Sequence, residues 1–136
     1  MDETPGISED YLPMDAKRLL QWLQTILNGG DLENLTQYFQ LDYESTQPGK
    51  PGANRTGRQQ LLEKWGQIFR EHPNFRANLL RYAIEGDTVW TEWHWFDEEQ
   101  KEALNKTGVV IYGVEDGLFA WSREYMVDIT PDEEVR

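Results

Sequence analysis

The chain has 136 residues, enough for one domain with a real core and too few for a second. It has no cysteine and two histidines, which excludes disulfides, Cys-ligated zinc, iron–sulfur clusters and thiol catalysis and leaves little for a His-based metal site. Its formal charge of −12 argues against nucleic acid and anionic membrane as partners, because both require a positive footprint.

Residues 1–13 carry Asp2, Glu3, Glu9 and Asp10 with no base, punctuated by Pro5, Gly6 and Pro13, and predict a mobile acidic arm. The arm lacks an apolar core, so it does not read as a secretory signal. Asp15 is a candidate N-cap for a first helix with Leu19, Leu20, Trp22, Leu23, Ile26 and Leu27 on a wide apolar face, stopped by Asn28-Gly29-Gly30. Asp31 can cap a short second helix carrying Leu32, Leu35, Tyr38 and Phe39. Residues 41–47 predict a short strand, and Pro48-Gly49-Lys50-Pro51-Gly52 a loop. Thr56 and Gln59 form a capping-box pattern before a third helix with Leu61, Leu62, Trp65, Ile68 and Phe69 on one face, ended by His72-Pro73.

The period then changes to two. Strands are predicted over residues 75–84, 88–96, 107–114 and 118–129, with an acidic loop at 97–102 and a hairpin signal at Asp116-Gly117. Residues 130–136 read as a frayed tail, leaving 14–129 as the domain. Most of the negative charge falls in the arm, that loop and the tail, so the acidity reads as solubilising periphery. No run approaches 18 apolar residues, so no membrane span is expected; with the absent cysteines this favours the cytoplasm. Helices segregated from a run of strands predict an α+β fold. The last strand is too long for a domain of this size to hold straight, so the sheet is expected to curve strongly around the three helices and enclose a concave space.

Three segments carry a resemblance. They are Thr56-Gly57-Arg58 opening a helix with Leu61, Leu62 and Trp65; Gly86-Asp87-Thr88-Val89-Trp90-Thr91-Glu92-Trp93; and Gly108 followed by Asp116-Gly117-Leu118-Phe119-Ala120-Trp121-Ser122-Arg123-Glu124-Tyr125. In that order they resemble the SnoaL-like branch of the nuclear transport factor 2-like superfamily, over roughly residues 15–129. Limonene-epoxide hydrolase and ketosteroid isomerase are enzymatic relatives. The resemblance implies a cone-shaped α+β barrel with an antiparallel or mixed sheet, a deep apolar cavity and a homodimer packed through the sheet. It implies acid–base isomerisation, cyclisation or hydrolysis of a small apolar or polycyclic molecule, without metal or redox cofactor.

Within that frame Glu124 is the candidate catalytic residue, matching an acid in the epoxide-hydrolase strand. A carboxyl in an apolar cavity has its pKa raised by desolvation and can serve as acid or base near neutrality; the competing reading is a solvated strand Glu. A two-residue Asp116-Gly117 loop would set Glu124 opposite Val109; a three-residue loop with Gly117 left-handed would set it opposite Gly108. The resemblance favours the latter. Gly108, Val110 and Tyr112 then share a face with Ala120, Ser122, Glu124 and Met126, and Gly108 leaves space for a ligand.

Alternation puts Thr91, Trp93 and Trp95 on one face of their strand and Trp90, Glu92, His94 and Phe96 on the other. Trp93 and Trp95 stand where the epoxide hydrolases have an Arg and an Asp. Their loss argues against that hydrolysis, and the two indoles read as cavity walls or interface packing. His94 is a general base by chemistry alone, but its parity points away from the cavity. His72 at a helix end suits the helix dipole. Gln47, before Pro48, stands where ketosteroid isomerase has its base and cannot abstract a proton; Glu44 and Thr46 remain candidates to face the cavity. Arg123 and Tyr125 read as interface residues. The expected function is therefore a SnoaL-like enzyme, with a non-catalytic ligand-binding or dimerisation domain as the alternative.

Overall fold

Asp15 opens the first helix, α1 (Ala16–Gly29), by accepting the Arg18 backbone N–H at 2.9 Å, and Gly30 closes it in the left-handed conformation at φ 62°. The computed structural model describes residues 15–130; the acidic arm and the chain from 131 onward lie outside the described residues. Asp31 caps α2 (Leu32–Thr36) through the Asn34 N–H. Strand β1 (Phe39–Thr46) begins two residues earlier than the sequence pattern suggests. It is followed by a single 3-10 turn (Pro51–Ala53) and the short β2 (Arg55–Thr56).

The capping box expected at Thr56 does not form. Thr56 is paired with Glu44 in the sheet, so α3 (Arg58–Glu71) starts from Gly57, and the Gln60 side chain rather than Gln59 accepts the Thr56 N–H. Strands β3 (Phe75–Glu85), β4 (Thr88–Asp97), β5 (Asn105–Glu115) and β6 (Leu118–Asp128) complete the fold.

The six strands form one mixed sheet in the order β2-β1-β6-β5-β4-β3. All neighbours are antiparallel except β1 and β6, which run parallel. The end strands β2 and β3 do not pair, so the sheet is open and not a closed barrel. The edge of β3 is covered from α1: Asn28 accepts the Ala77 N–H and donates to the Ala77 carbonyl, and Gln24 accepts the Leu79 N–H at 2.8 Å. Where its backbone groups are satisfied this way, at Ala77 and Leu79, the edge offers no template for pairing with another chain. The core lies between the sheet and α1 and α3, where Leu19, Leu20 and Leu27 meet Val89, Trp93 and Phe119. No described helix is long and apolar enough to cross a membrane.

The β5–β6 hairpin differs from both expected registers. Its loop has two residues, Asp116 and Gly117, both at positive φ (54° and 75°), the pairing a tight hairpin turn requires. A bulge then inserts Ala120 into β6, between the Val114–Phe119 and Gly113–Trp121 pairs. The extra residue moves Glu124 opposite Val110 and brings Met126 opposite Gly108. The expected face survives, because the shift from the three-residue register is by two. The space expected at Gly108 does not: a Cβ there would run into the Tyr125 backbone carbonyl, so this glycine permits close approach of β6 rather than room for a ligand.

Candidate active site

Three elements converge on Glu124. On β6, alternation turns Ser122 and Glu124 toward the helices; Ser122 lies opposite Tyr112 on β5 and beside Ser45 on β1. On β1 the same alternation turns Tyr43 and Ser45 inward. On α3, Lys64 lies three residues beyond Leu61 and one before Trp65, both buried, so its stem follows the helix's inner face. These side chains, with Trp65, Trp95 and Val110, line one interior pocket.

The polar contacts in this pocket are short. The Tyr43 hydroxyl donates to Ser122 Oγ at 2.6 Å. Lys64 Nζ donates to Glu124 Oε1 at 3.0 Å, with only 18% and 12% of the two side chains exposed. The ammonium also stands 5.6 Å from the centre of the Trp65 ring, within cation–π range. Burial pushes the pKa of Tyr43 up, against a lowering by the Ser122 bond, and burial followed by the neighbouring Tyr43 raises Tyr112; the nearby Glu124 charge adds to both. Both phenols therefore remain protonated across the physiological range.

Trp65 and Trp95 meet edge to face, 5.4 Å apart, and fill most of the interior. The space left is about 10 Å³, of the order of one water molecule. Trp95 Nε1 is a buried donor with no hydrogen-bond partner among the described residues. On the other side of Glu124 a larger pocket of about 380 Å³ opens, bounded by Gln47, Lys50, Lys106, Met126 and Asp128. Glu124 thus separates a packed aromatic interior from an accessible mouth. Among the described residues no cluster of three or more His, Asp or Glu side chains is arranged to hold a metal ion.

Of the residues singled out in the sequence, Glu124, Ser122, Tyr112, Val110 and Trp95 come together in the interior pocket, and Met126 lies at the mouth. Trp93 is fully buried behind them, its indole donating to Thr91 Oγ1 at 2.6 Å. Glu44 is exposed on the other side of β1, because Tyr43 and Ser45 take the inward parity. Thr46, at the end of the strand, does not line either pocket. His94 is on the outer parity as expected but is buried, bonded to Asn105 at 2.7 Å and stacked on Phe96. His72 does more than face a helix dipole: its Nδ1 is 2.8 Å from Asp97 Oδ2. Lys64, Tyr43 and Ser45 were not singled out by sequence reasoning. The signals for them are the i+3 spacing of Lys64 from Leu61 and the alternation of β1.

A family profile described as a SnoaL-like domain matches residues 19–121. No curated protein sequence matches the chain. Among solved structures, the wild-type IdmH of Streptomyces antibioticus, a candidate polyketide cyclase, superposes with a TM-score of 0.72 at 22% identity, covering 84% of this chain and 93% of that one. A candidate ketosteroid isomerase from Kribbella flavida gives 0.68 at 19% identity, with 82% and 77% covered. A SnoaL-like protein of unknown function from Burkholderia thailandensis gives 0.69 at 13%, with 89% and 98% covered. At these identities the likeness establishes the fold alone. The six-stranded mixed sheet, the three helices packed on it and the profile match across most of the chain make this protein a member of the SnoaL-like domain family.

Proposed function

We propose that the protein is an acid–base enzyme in which the Glu124 carboxylate takes up and returns a proton on a small apolar or polycyclic molecule, in an isomerisation, cyclisation or hydrolysis. One observation carries the reading: Glu124 stands between an aromatic interior and a mouth large enough for a small ligand, with its oxygen held by a side chain from the opposite layer. A ligand entering the mouth meets Glu124 first, with Met126 beside it. The protonated phenols of Tyr43 and Tyr112 supply no competing base, and the Tyr43 O–H is already committed to Ser122 Oγ. Occupation of a deep apolar cavity of the kind the resemblance implies would require Trp65 and Trp95 to move.

The test is Glu124→Gln, which keeps the shape and removes the proton acceptor. A proton transfer that depends on this group falls by about 10²–10⁴-fold, measured as solvent deuterium incorporation into a panel of cyclic ketones. Unchanged incorporation would remove Glu124 from the mechanism.

A non-catalytic ligand-binding or dimerisation domain is the second reading, favoured by the near-filled interior. It expects no turnover by the wild-type protein on any member of the panel. Under either reading, we place a second copy of the chain against the outer face of the sheet, where Trp90, Tyr125 and Val127 are exposed.

A further inference from the structure

The mouth beside Glu124 is a gap in the sheet. Strand β1 pairs with β6 only as far as Thr46 and Arg123. Residues 124–128 of β6 keep β5 on one side and have no strand on the other. The pocket of about 380 Å³ occupies that missing place, with the loop through Gln47, Gly49 and Lys50 across from it. The Ile129 N–H bonds to Asn105 on β5 at 2.8 Å. Alternation along the strand therefore turns the backbone groups of Met126 and Asp128 away from β5, toward the gap. Among the described residues no hydrogen bond satisfies their N–H groups there. Two adjacent edge donors thus form one wall of the mouth.

The charge of the mouth is opposite to that of the molecule. The chain carries −12 overall, yet three of its five lysines gather here. Lys50 and Lys106 line the pocket, and Lys64 reaches Glu124 behind it. Lys64 is matched by Glu124, and Lys106 by Asp128 at 2.8 Å. Lys50 has no ion pair or side-chain hydrogen bond among the described residues. Its charge is nonetheless felt in the pocket: the Asp128 carboxyl is held below the ordinary range chiefly by the Lys106 hydrogen bond and charge, with Lys50 adding to it. Three ammoniums against two carboxylates leave one positive charge. The backbone of Lys50 is fixed, since its N–H bonds to the Gln47 carbonyl and its own carbonyl accepts from Ala53, both at 2.9 Å, with Pro51 next in the chain.

We propose that the mouth is a carboxylate subsite, in which Lys50 and the unpaired N–H groups of Met126 and Asp128 hold the single carboxylate of a small, otherwise apolar ligand. One uncompensated positive charge matches a monoanion, and a phosphate dianion would overshoot it. Two carboxylate oxygens accept from an ammonium and a backbone N–H together, and hydrogen bonds to a charged group are the strong ones. The Met126 side chain gives the apolar part of the ligand a surface. Lys50 is thus a residue that sets specificity, not a catalytic one. The inference rests on the mouth as the way in, which the enzyme and the ligand-binding readings share, and not on Glu124 as proton acceptor.

The experiment compares 2-naphthoate with 2-acetonaphthone, a neutral ligand of nearly the same shape, and with 2-naphthyl phosphate. Affinities are measured by titration calorimetry. The place of binding is read from the Met126 methyl signal in NMR, assigned by its loss in M126L. In wild type naphthoate should shift that signal and bind about tenfold or more tighter than the ketone, the worth of one charge-assisted hydrogen bond. K50M should abolish the preference and K50R keep it. K17M, which changes the net charge equally on the exposed side of α1, should also keep it. D128N releases Lys106 from its partner and should tighten naphthoate but not the ketone.

Equal affinity for naphthoate and ketone in wild type overturns the subsite. So does an equal loss in K17M and K50M, since the effect is then one of total charge. Tighter binding of the phosphate overturns the carboxylate assignment, and weaker naphthoate binding in D128N overturns the charge balance on which it stands. If no probe shifts Met126, the mouth is not the way in and the inference falls. The proton-accepting role of Glu124 is decided separately, by deuterium incorporation in E124Q. If K50M does not fold, as judged by circular dichroism, K50Q carries the same decision.

Discussion

Tyr43 and Ser122 meet at 2.6 Å across two strands that are far apart in sequence, both side chains shut away from solvent. Removing either partner leaves the other buried without its bond, which costs about 1–3 kcal/mol. Removing both leaves nothing unsatisfied. Tyr43→Phe and Ser122→Ala should therefore each lower stability in urea unfolding, and the double variant should lose clearly less than the sum; additive losses would show that the bond contributes nothing. The inward placement of Tyr43 was legible in principle, since Tyr43 and Ser45 alternate with Asp42 and Glu44. Reading by chemical type favoured Glu44 and Thr46 instead, and burial follows strand parity, not reactivity. Lys64 was missed because a lysine on an amphipathic helix is ordinarily solvated. Only the sheet opposite, with Glu124 on it, makes an inward lysine tolerable.

The β5–β6 hairpin carries the strand register of the site. Gly113 faces Trp121, and a Cβ at Gly113 would overlap the Trp121 indole. Gly113→Ala should cost on the order of 1–3 kcal/mol, as overpacking does, seen as a lower urea midpoint. The Asp116-Gly117 turn could be read from sequence; the Ala120 bulge could not, because it depends on where Trp121 must go and not on any local turn signal. At the far end of the sheet, Asp97 was assigned to a solvated acidic loop. It is buried and joins α3 to β4 through His72, while accepting the N–H groups of Glu99 and Gln100. Burial alone would raise the Asp97 pKa, but the His72 and backbone hydrogen bonds outweigh it and hold it below the ordinary carboxylate value. A carboxyl whose folded-state pKa is lowered stabilises the protein above its unfolded pKa of about 3.9 and ceases to do so as pH falls through the folded value. Asp97→Asn should therefore be less stable than wild type at neutral pH, with the gap closing only in strong acid; a gap independent of pH would exclude the linkage.

For the molecule as a whole, the order of the long helices and strands and the α+β class were legible from periodicity, because each long segment has a clear period. Closure was not. Whether an extended sheet becomes a barrel depends on its two edge strands finding each other, and here β2 is only two residues long and the first part of β3 is covered by α1. The exposed Trp90, Tyr125 and Val127 give the proposed pairing of two copies its test. Light scattering at micromolar concentration should return twice the chain mass, and Trp90→Glu should shift it toward the single-chain mass. A monomeric wild type would leave that face unpartnered.

The parallel pairing of β1 with β6 has a consequence for how the protein is made. Of the described strands, the first to leave the ribosome has its long-range partner in the last, and Tyr43 waits for Ser122. Pairings so distant in sequence form late and slowly. Until β6 arrives, a growing chain holds β1 with an open edge, the condition in which partly made sheets aggregate or recruit chaperones. The pocket therefore has no nascent form. Glu124 is delivered on that same last strand, so the ability to take a proton there would arrive all at once, with the strand that completes the sheet.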